Sequence, residues 1–258
     1  MLKIFILSLT YFLFSNIMDQ KNSGKCVKIE KTDSLIISRF CVTEGYSRPA
    51  LDSQSFGFYL RHLSLKPKGT LVKTYQGVIK ENNGIYCAVV DLEIGNRDLQ
   101  QCADAVMRLR AEYLFSKKKF ADIKFKFVAD NTWHDYLTYA KSDRTYAKFR
   151  AYLDFVFSYA NTASLKKQLI QKPFKDINIG DVFVQSGNPY GHAVIVVDIA
   201  SNGSGAKQFI LAQSYMPAQD IQILQNKNDT KPWYDYSNKH NKIYTPEWTF
   251  DTADLRTW

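Results

Sequence analysis

Cys102 and His192 are the residues of this 258-residue chain whose types and settings point most directly to chemistry. The cysteine lies in Asp98-Leu-Gln-Gln-Cys-Ala-Asp-Ala-Val-Met-Arg-Leu-Arg110, near the start of a segment with helical spacing. The histidine enters the apolar run Gly191-His-Ala-Val-Ile-Val-Val-Asp198, which reads as a strand. Unpaired amides at a helix N-terminus lower a thiol pKa, and an imidazole within reach takes the proton. Together they would make a nucleophile for a carbonyl carbon, the arrangement that cysteine hydrolases use.

A third polar residue must orient the imidazole. A two-residue turn at Asn202-Gly203 would set Ser201 against Ser204 and His192 against Gln213. Directly paired strand residues share a face with Cβ atoms about 5 Å apart, so Gln213 can bond one ring nitrogen and leave the other for the thiol. A longer turn at Ser204-Gly205 would bring Ser214 or Ala212 opposite instead. Asp198 shares the strand face of His192 but stands about 20 Å away along an extended chain, and is expected near the strand end.

The remaining polar residues of the cysteine segment have blander readings. Arg108 and Arg110 are expected in surface ion pairs, with a grip on a substrate carboxylate as the alternative, and Asp104 is expected to face solvent. Met216-Pro-Ala-Gln219 and the tryptophans are expected to serve packing.

The four cysteines (26, 41, 87 and 102) form no C-x-x-C pair and no zinc-ligand spacing. Cys26 and Cys41 could bridge neighbouring strands. A Cys87–Cys102 bridge would silence the thiol and is the main competitor of catalysis. The four histidines (62, 134, 192 and 240) include no H-x-x-x-H pair. No metal site and no cofactor are expected.

Met1-Leu-Lys3 followed by the apolar run Ile4 to Phe14 resembles a secretory leader, too short for a membrane span of about 20 residues. We therefore expect a signal peptide over residues 1–18, with an indistinct cleavage point, and one α+β domain over residues 19–258. The mature protein would be secreted or periplasmic, without stable membrane insertion; a lipid anchor at Cys26 is disfavoured by the polar residues before it. The net charge of +9 suits contact with anionic cell-wall polymers or acidic lipid surfaces. Lys117-Lys-Lys119 and Lys166-Lys167 read as solvated helix ends, and no recognised nucleic-acid motif accompanies the charge.

Around the candidate pair, Val27 to Val42 reads as one or two strands and Asp52 to Leu63 as a short helix. Leu71 to Ile79 and Ile85 to Ile94 read as a hairpin turned at Asn82-Asn-Gly84. A helix from Asn96 or Asp98 then carries Cys102, Val106, Leu109 and Tyr113 on one face. Ile123 to Ala129 is a predicted strand and Asn131 to Tyr139 an aromatic loop. Tyr146 to Leu169 is helical, broken near Asn161-Thr162. Strands follow at Ile179 to Val184, His192 to Ala200 and Gln208 to Tyr215, and the tail packs back over the body. This order argues an α+β domain.

The sequence resembles a family of uncharacterised bacterial secreted proteins classed as a domain of unknown function. The likeness lies in Leu60-Arg-His-Leu-Ser-Leu-Lys-Pro67, Gly95 to Tyr113, Gly180-Asp-Val-Phe183, Gly191 to Asp198, Leu211 to Gln219 and Thr245-Pro-Glu-Trp248. More distantly, Gln101-Cys102 opening a helix, Gly180-Asp181 before a strand and Gly191-His192 with an apolar strand are similar to NlpC-type and CHAP-type domains. That resemblance implies a papain-like fold, with an antiparallel sheet packed on the Cys-bearing helix. It also implies cleavage of an amide bond in cell-wall peptides, with Cys102 as nucleophile, His192 as base and Gln213 as third residue. The CHAP pattern more often has Glu or Asn there, and a neutral amide orients imidazole without stabilising imidazolium. The rival reading is a non-catalytic module that binds cell-wall glycan or a protein; a transferase using the same thiol is a third.

Overall fold

The computed structural model describes residues 33–235 and 241–258. The expected leader and Cys26 lie outside them. Six helices occur among the described residues: α1 (Ile36–Arg39), α2 (Phe56–Arg61), α3 (Cys102–Ser116), α4 (Tyr136–Ala140), α5 (Tyr146–Tyr159) and α6 (Thr162–Gln168). The strands are β1 (Tyr46–Ser47), β2 (Tyr86–Val89), β3 (Lys124–Lys126), β4 (Trp133–Asp135), β5 (Ile170–Gln171), β6 (Val182–Gln185) and β7 (His192–Asn202). After them come β8 (Lys207–Gln213), β9 (Gln222–Leu224), β10 (Trp233–Asp235), β11 (Lys242–Tyr244), β12 (Thr249–Asp251) and β13 (Leu255–Thr257). No described helix is long and apolar enough to cross a membrane.

The result is a mixed α/β architecture around a predominantly antiparallel nine-stranded sheet, ordered β2-β9-β8-β7-β6-β13-β5, with β1 added on β7 and β10 on β8. Strand β7 is buried along nine consecutive residues, His192 to Ala200, because both of its faces are covered. Ala193, Ile195 and Val197 turn to the face that meets α3, α5 and α6. Val194 and Val196 turn to a smaller core with Phe183, Phe209, Leu211 and Phe250, roofed by the β11–β12 hairpin. One apolar run thus supplies two cores by simple alternation.

Helix α3 is central rather than amphipathic. Its alanines, leucines and Met107 favour helix, and nearly every residue from Cys102 to Leu114 is buried. This corrects two expectations. Arg108 is buried: its guanidinium reaches the Gln100 side chain, the Glu93 carbonyl and, at 3.3 Å, Glu112. Tyr146 closes the network by donating to Glu112 at 2.8 Å. Among the described residues, Arg110 lies against the rings of Phe56, Tyr113 and Trp258 and has no ion-pair partner.

Other elements depart from sequence expectation for traceable reasons. Ile36–Arg39 is a helical turn, not a strand. Leu71 to Ile79 makes only isolated bridges around a turn at Gly77, so the hairpin with β2 does not form, and β2 pairs with β9 instead. The aromatic loop holds β4 and α4. The break between α5 and α6 falls where Asn161 caps α6 through Ser164 N–H at 3.0 Å.

Asp198 occupies the middle of the fold rather than the strand end. Its fully buried carboxylate takes Arg48 Nε–H at 2.6 Å, Arg61 Nε–H at 2.7 Å and its neighbour's amide, Ile199 N–H, at 2.9 Å. Removing one side of such an assembly strands buried charge. Asp198→Ala should therefore lower unfolding free energy by about 3–5 kcal/mol, measured as a reduced urea midpoint with the slope unchanged.

Candidate active site

Cys102 is the first residue of α3, with Gln101 in the N-cap position. Gln101 N–H donates to Asp104 Oδ2 at 3.0 Å, so Asp104 closes the first turn on itself. Asp98 does not cap the helix. Its Oδ1 accepts from Gln101 Nε2 at 3.1 Å and from Ala218 N–H at 2.6 Å, tying the approach to α3 to the segment after β8. Ser214 Oγ adds a second tie, to the carbonyls of Gln100 at 3.0 Å and Gln219 at 2.8 Å. The start of α3 is thereby fixed against the end of β8.

The fold brings Cys102 to the start of β7. The amide of Ala193, the residue after His192, points at the sulfur together with the amides of Ala103 and Cys102 itself. Cys102 and Cys87 are free thiols, so the Cys87–Cys102 bridge is excluded. Cys41 is disulfide-bonded. The sulfur side of α3 opens on a cleft of about 290 Å³ lined by Gln101, Asn161, Thr162, Tyr190, Gly191 and Met216, among others. Cys102 itself is only 5% exposed.

Gly191 has to be glycine here, since a Cβ would stand 2.2 Å from the Gln185 carbonyl oxygen and 2.5 Å from Thr162 Oγ1. This close approach seats His192 at the start of β7, its ring turned to the second core. Tyr215, Trp248 and Phe250 surround it with centroids at 5.0, 5.3 and 5.8 Å. His192 Nε2 meets Gln213 Oε1 at 2.8 Å, the predicted partner.

Gln213 arrives there by an unpredicted register. The β7–β8 turn is longer than two residues: Asn202 Oδ1 gathers the amides of Ser204 and Ala206, and Ser201 pairs with Lys207. An irregularity between Val196 and Asp198 then shifts the ladder, leaving Ile195 opposite Ala212. Continued to the strand end, this sets Gln213 across from Val194 and diagonal to His192. Diagonal neighbours share a face and long side chains span the gap.

Two further residues complete the site. Gln213 Nε2 donates to Glu247 Oε2 at 2.7 Å, and Lys80 Nζ donates to Glu247 Oε1 at 2.8 Å. Glu247 stands in the turn of the β11–β12 hairpin, which Thr245 Oγ1 tightens by accepting Trp248 N–H at 3.1 Å. Lys80 also donates to Gln219 Oε1 at 3.0 Å and lies 4.9 Å from the Tyr215 ring centroid.

Burial governs the electrostatics. It pushes the Cys102 thiol up to about 11, with Asp104 adding to the rise, against the three amides that favour thiolate. The expected lowering by the helix end is real but outweighed. Burial likewise pulls His192 down to about 4, opposed by the Gln213 bond and helped by Lys80. Thiol and imidazole are both neutral at pH 7. Asp104 is buried, not solvent-facing, and desolvation raises its carboxyl well above the usual range.

The model of the family DUF4846, a domain of unknown function, matches residues 36–257. The chain belongs to that family. No curated protein and no solved structure matches it. All the site residues fall inside the DUF4846 domain, Lys80 and Glu247 included. Of these two, sequence reasoning touched only Glu247, through the Thr245-Pro-Glu-Trp248 motif; Lys80 gave no signal.

A histidine neutral in the fold but protonated in the unfolded chain costs stability in acid. The folded pKa near 4 lies below the ordinary 6.5, so the cost is absent above pH 6.5 and grows as pH falls toward 4. Its full size is on the order of 3 kcal/mol. His192→Asn should flatten that part of the acid limb in urea unfolding measured from pH 7 to 4. Equal acid slopes in both proteins would count against a buried neutral imidazole.

Proposed function

We propose that this DUF4846 protein is an exported cysteine hydrolase of papain-like architecture that cleaves an amide bond in cell-wall peptides. The observation that carries the reading is the Ala193 amide turned toward a free thiol on the first turn of α3, with the preceding residue, His192, bonded to Gln213. His192 and Gln213 meet directly, and Cys102 reaches the same strand start through the Ala193 amide.

In this reading His192, bonded through Nε2, keeps Nδ1 for the thiol proton. The sulfur attacks the carbonyl carbon as Nδ1 takes that proton, giving a tetrahedral oxyanion. Amides at the start of α3 are the candidate donors to it. The C–N bond then breaks as His192 returns the proton to the leaving amine, and water, deprotonated by the same nitrogen, releases the acid from the thioester. A neutral resting pair is suited to this, because proton transfer accompanies attack and no preformed thiolate is needed. The export and the substrate class follow from the leader-like N-terminus and the NlpC/CHAP resemblance.

One observation favours a second reading, a non-catalytic module binding glycan or protein. Trp133, Tyr159 and Tyr190 are exposed aromatic surfaces of the sort that bind by stacking, and Tyr190 stands at the cleft.

The two separate on peptidoglycan peptides. The hydrolase should release new amino termini, form a thioester on Cys102 visible by mass spectrometry after acid quench, and lose at least about 10³-fold in kcat/KM in Cys102→Ala and His192→Ala. Binding of the peptides without turnover by the wild type, unaltered in Cys102→Ala, would overturn it.

A further inference from the structure

We propose that Glu247, anchored by Lys80, dictates through Gln213 which nitrogen of His192 carries the proton. The consequence for catalysis rests on the hydrolase reading; the relay itself does not.

Donors and acceptors decide the orientation. An ionised carboxylate only accepts, and a glutamine amide has one accepting and one donating end. Glu247 takes Lys80 on Oε1 and faces Gln213 on Oε2 at 2.7 Å. The Gln213 amide must therefore turn its NH₂ to Glu247, because the reverse would press two acceptor oxygens together in a buried site. Its Oε1 is then left against His192 Nε2 at 2.8 Å, and Nε2 has to be the protonated nitrogen. Nδ1 keeps its lone pair, which is the form a base requires.

Each member is held in place. Glu247 and Lys80 side chains are 14% and 8% exposed. Lys80 is fixed from the other side by Gln219 and the Tyr215 ring. Trp248, against the imidazole, directs its Nε1–H to Gln185 Oε1 at 2.9 Å and so away from the ring nitrogens. A neutral glutamine in the place where related patterns carry a charged group thus takes its orientation from a carboxylate one step further out.

The isosteric variant Glu247→Gln gives a distinctive test. Its amide has a single acceptor, which the Lys80 charge claims, so its NH₂ faces Gln213. Gln213 must then flip and present NH₂ to His192, which moves the ring proton to Nδ1. Nitrogen-15 NMR of histidine-labelled full-length protein distinguishes the two tautomers, with the His192 signals assigned by their loss in His192→Asn. The expected result is Nε2–H in the wild type, Nδ1–H in Glu247→Gln, and a return to Nε2–H in Lys80→Met/Glu247→Gln, where the Gln carbonyl is free to face Gln213. Retention of Nε2–H in Glu247→Gln, or no return in the double variant, overturns the relay.

Under the hydrolase reading, kcat falls about 10²–10⁴-fold in Glu247→Gln, as expected for a base in the wrong tautomer, and recovers in the double variant. A tautomer switch in a protein without hydrolytic activity would sink the hydrolase and leave the relay. An active enzyme without the switch would do the reverse.

Discussion

The packing of the first turn of α3 on the first residues of β7, which turns the Ala193 amide toward the sulfur of Cys102, is the constraint on which the site depends. Strand alternation does the rest. With the Ala193 side chain turned to the helical layer, His192 must turn to the other face, where Gln213, Trp248 and Phe250 wait. Gly191 permits the approach because the Gln185 carbonyl leaves no room for a side chain. A slip of one residue in β7 would exchange the two faces and take the imidazole away from Gln213, Trp248 and Phe250.

Burial is the price of this arrangement. It holds Cys102 as thiol and His192 as neutral imidazole, and it makes every hydrogen bond around them obligatory. The polar chain running His192–Gln213–Glu247–Lys80–Gln219 meets that demand, each link lying between 2.7 and 3.0 Å. The resting charge sits at the Glu247–Lys80 pair, one residue removed from the imidazole, so the ring itself carries none. Asp198 with Arg48 and Arg61 solves a similar problem elsewhere along β7, as a structural ion cluster.

Much of the site was legible in the sequence because it rests on local patterns. Cys102 at a helix start and His192 at a strand start follow from periodicity and neighbouring residues. The Gln213 partnership was found through a register that is wrong by two: the Asn202-centred turn and the irregularity past Val196 moved the ladder, yet a shift of two preserves the face. What stayed hidden depends on distant segments. Helical spacing puts Asp104 and Arg108 on outer faces of α3, and nothing local tells that α5, α6 and the Gln100 segment cover them. Glu247 comes from a hairpin 34 residues beyond Gln213. Leu71 to Ile79 has strand composition, but it makes only isolated bridges, and β2 pairs with β9.

Cys87 offers an internal control for the central claim, that His192 activates Cys102. Both thiols are free, and burial raises each to about 11. Cys87 is the more exposed, so access alone favours it. Competitive labelling with a neutral alkylating agent at pH 7, read by peptide mass spectrometry, compares them in one sample. We predict that Cys102 reacts at least about tenfold faster and that His192→Ala abolishes the difference, the scale of general-base assistance being about 10²–10⁴. Labelling of Cys87 first, or a ratio unmoved by His192→Ala, would contradict the account.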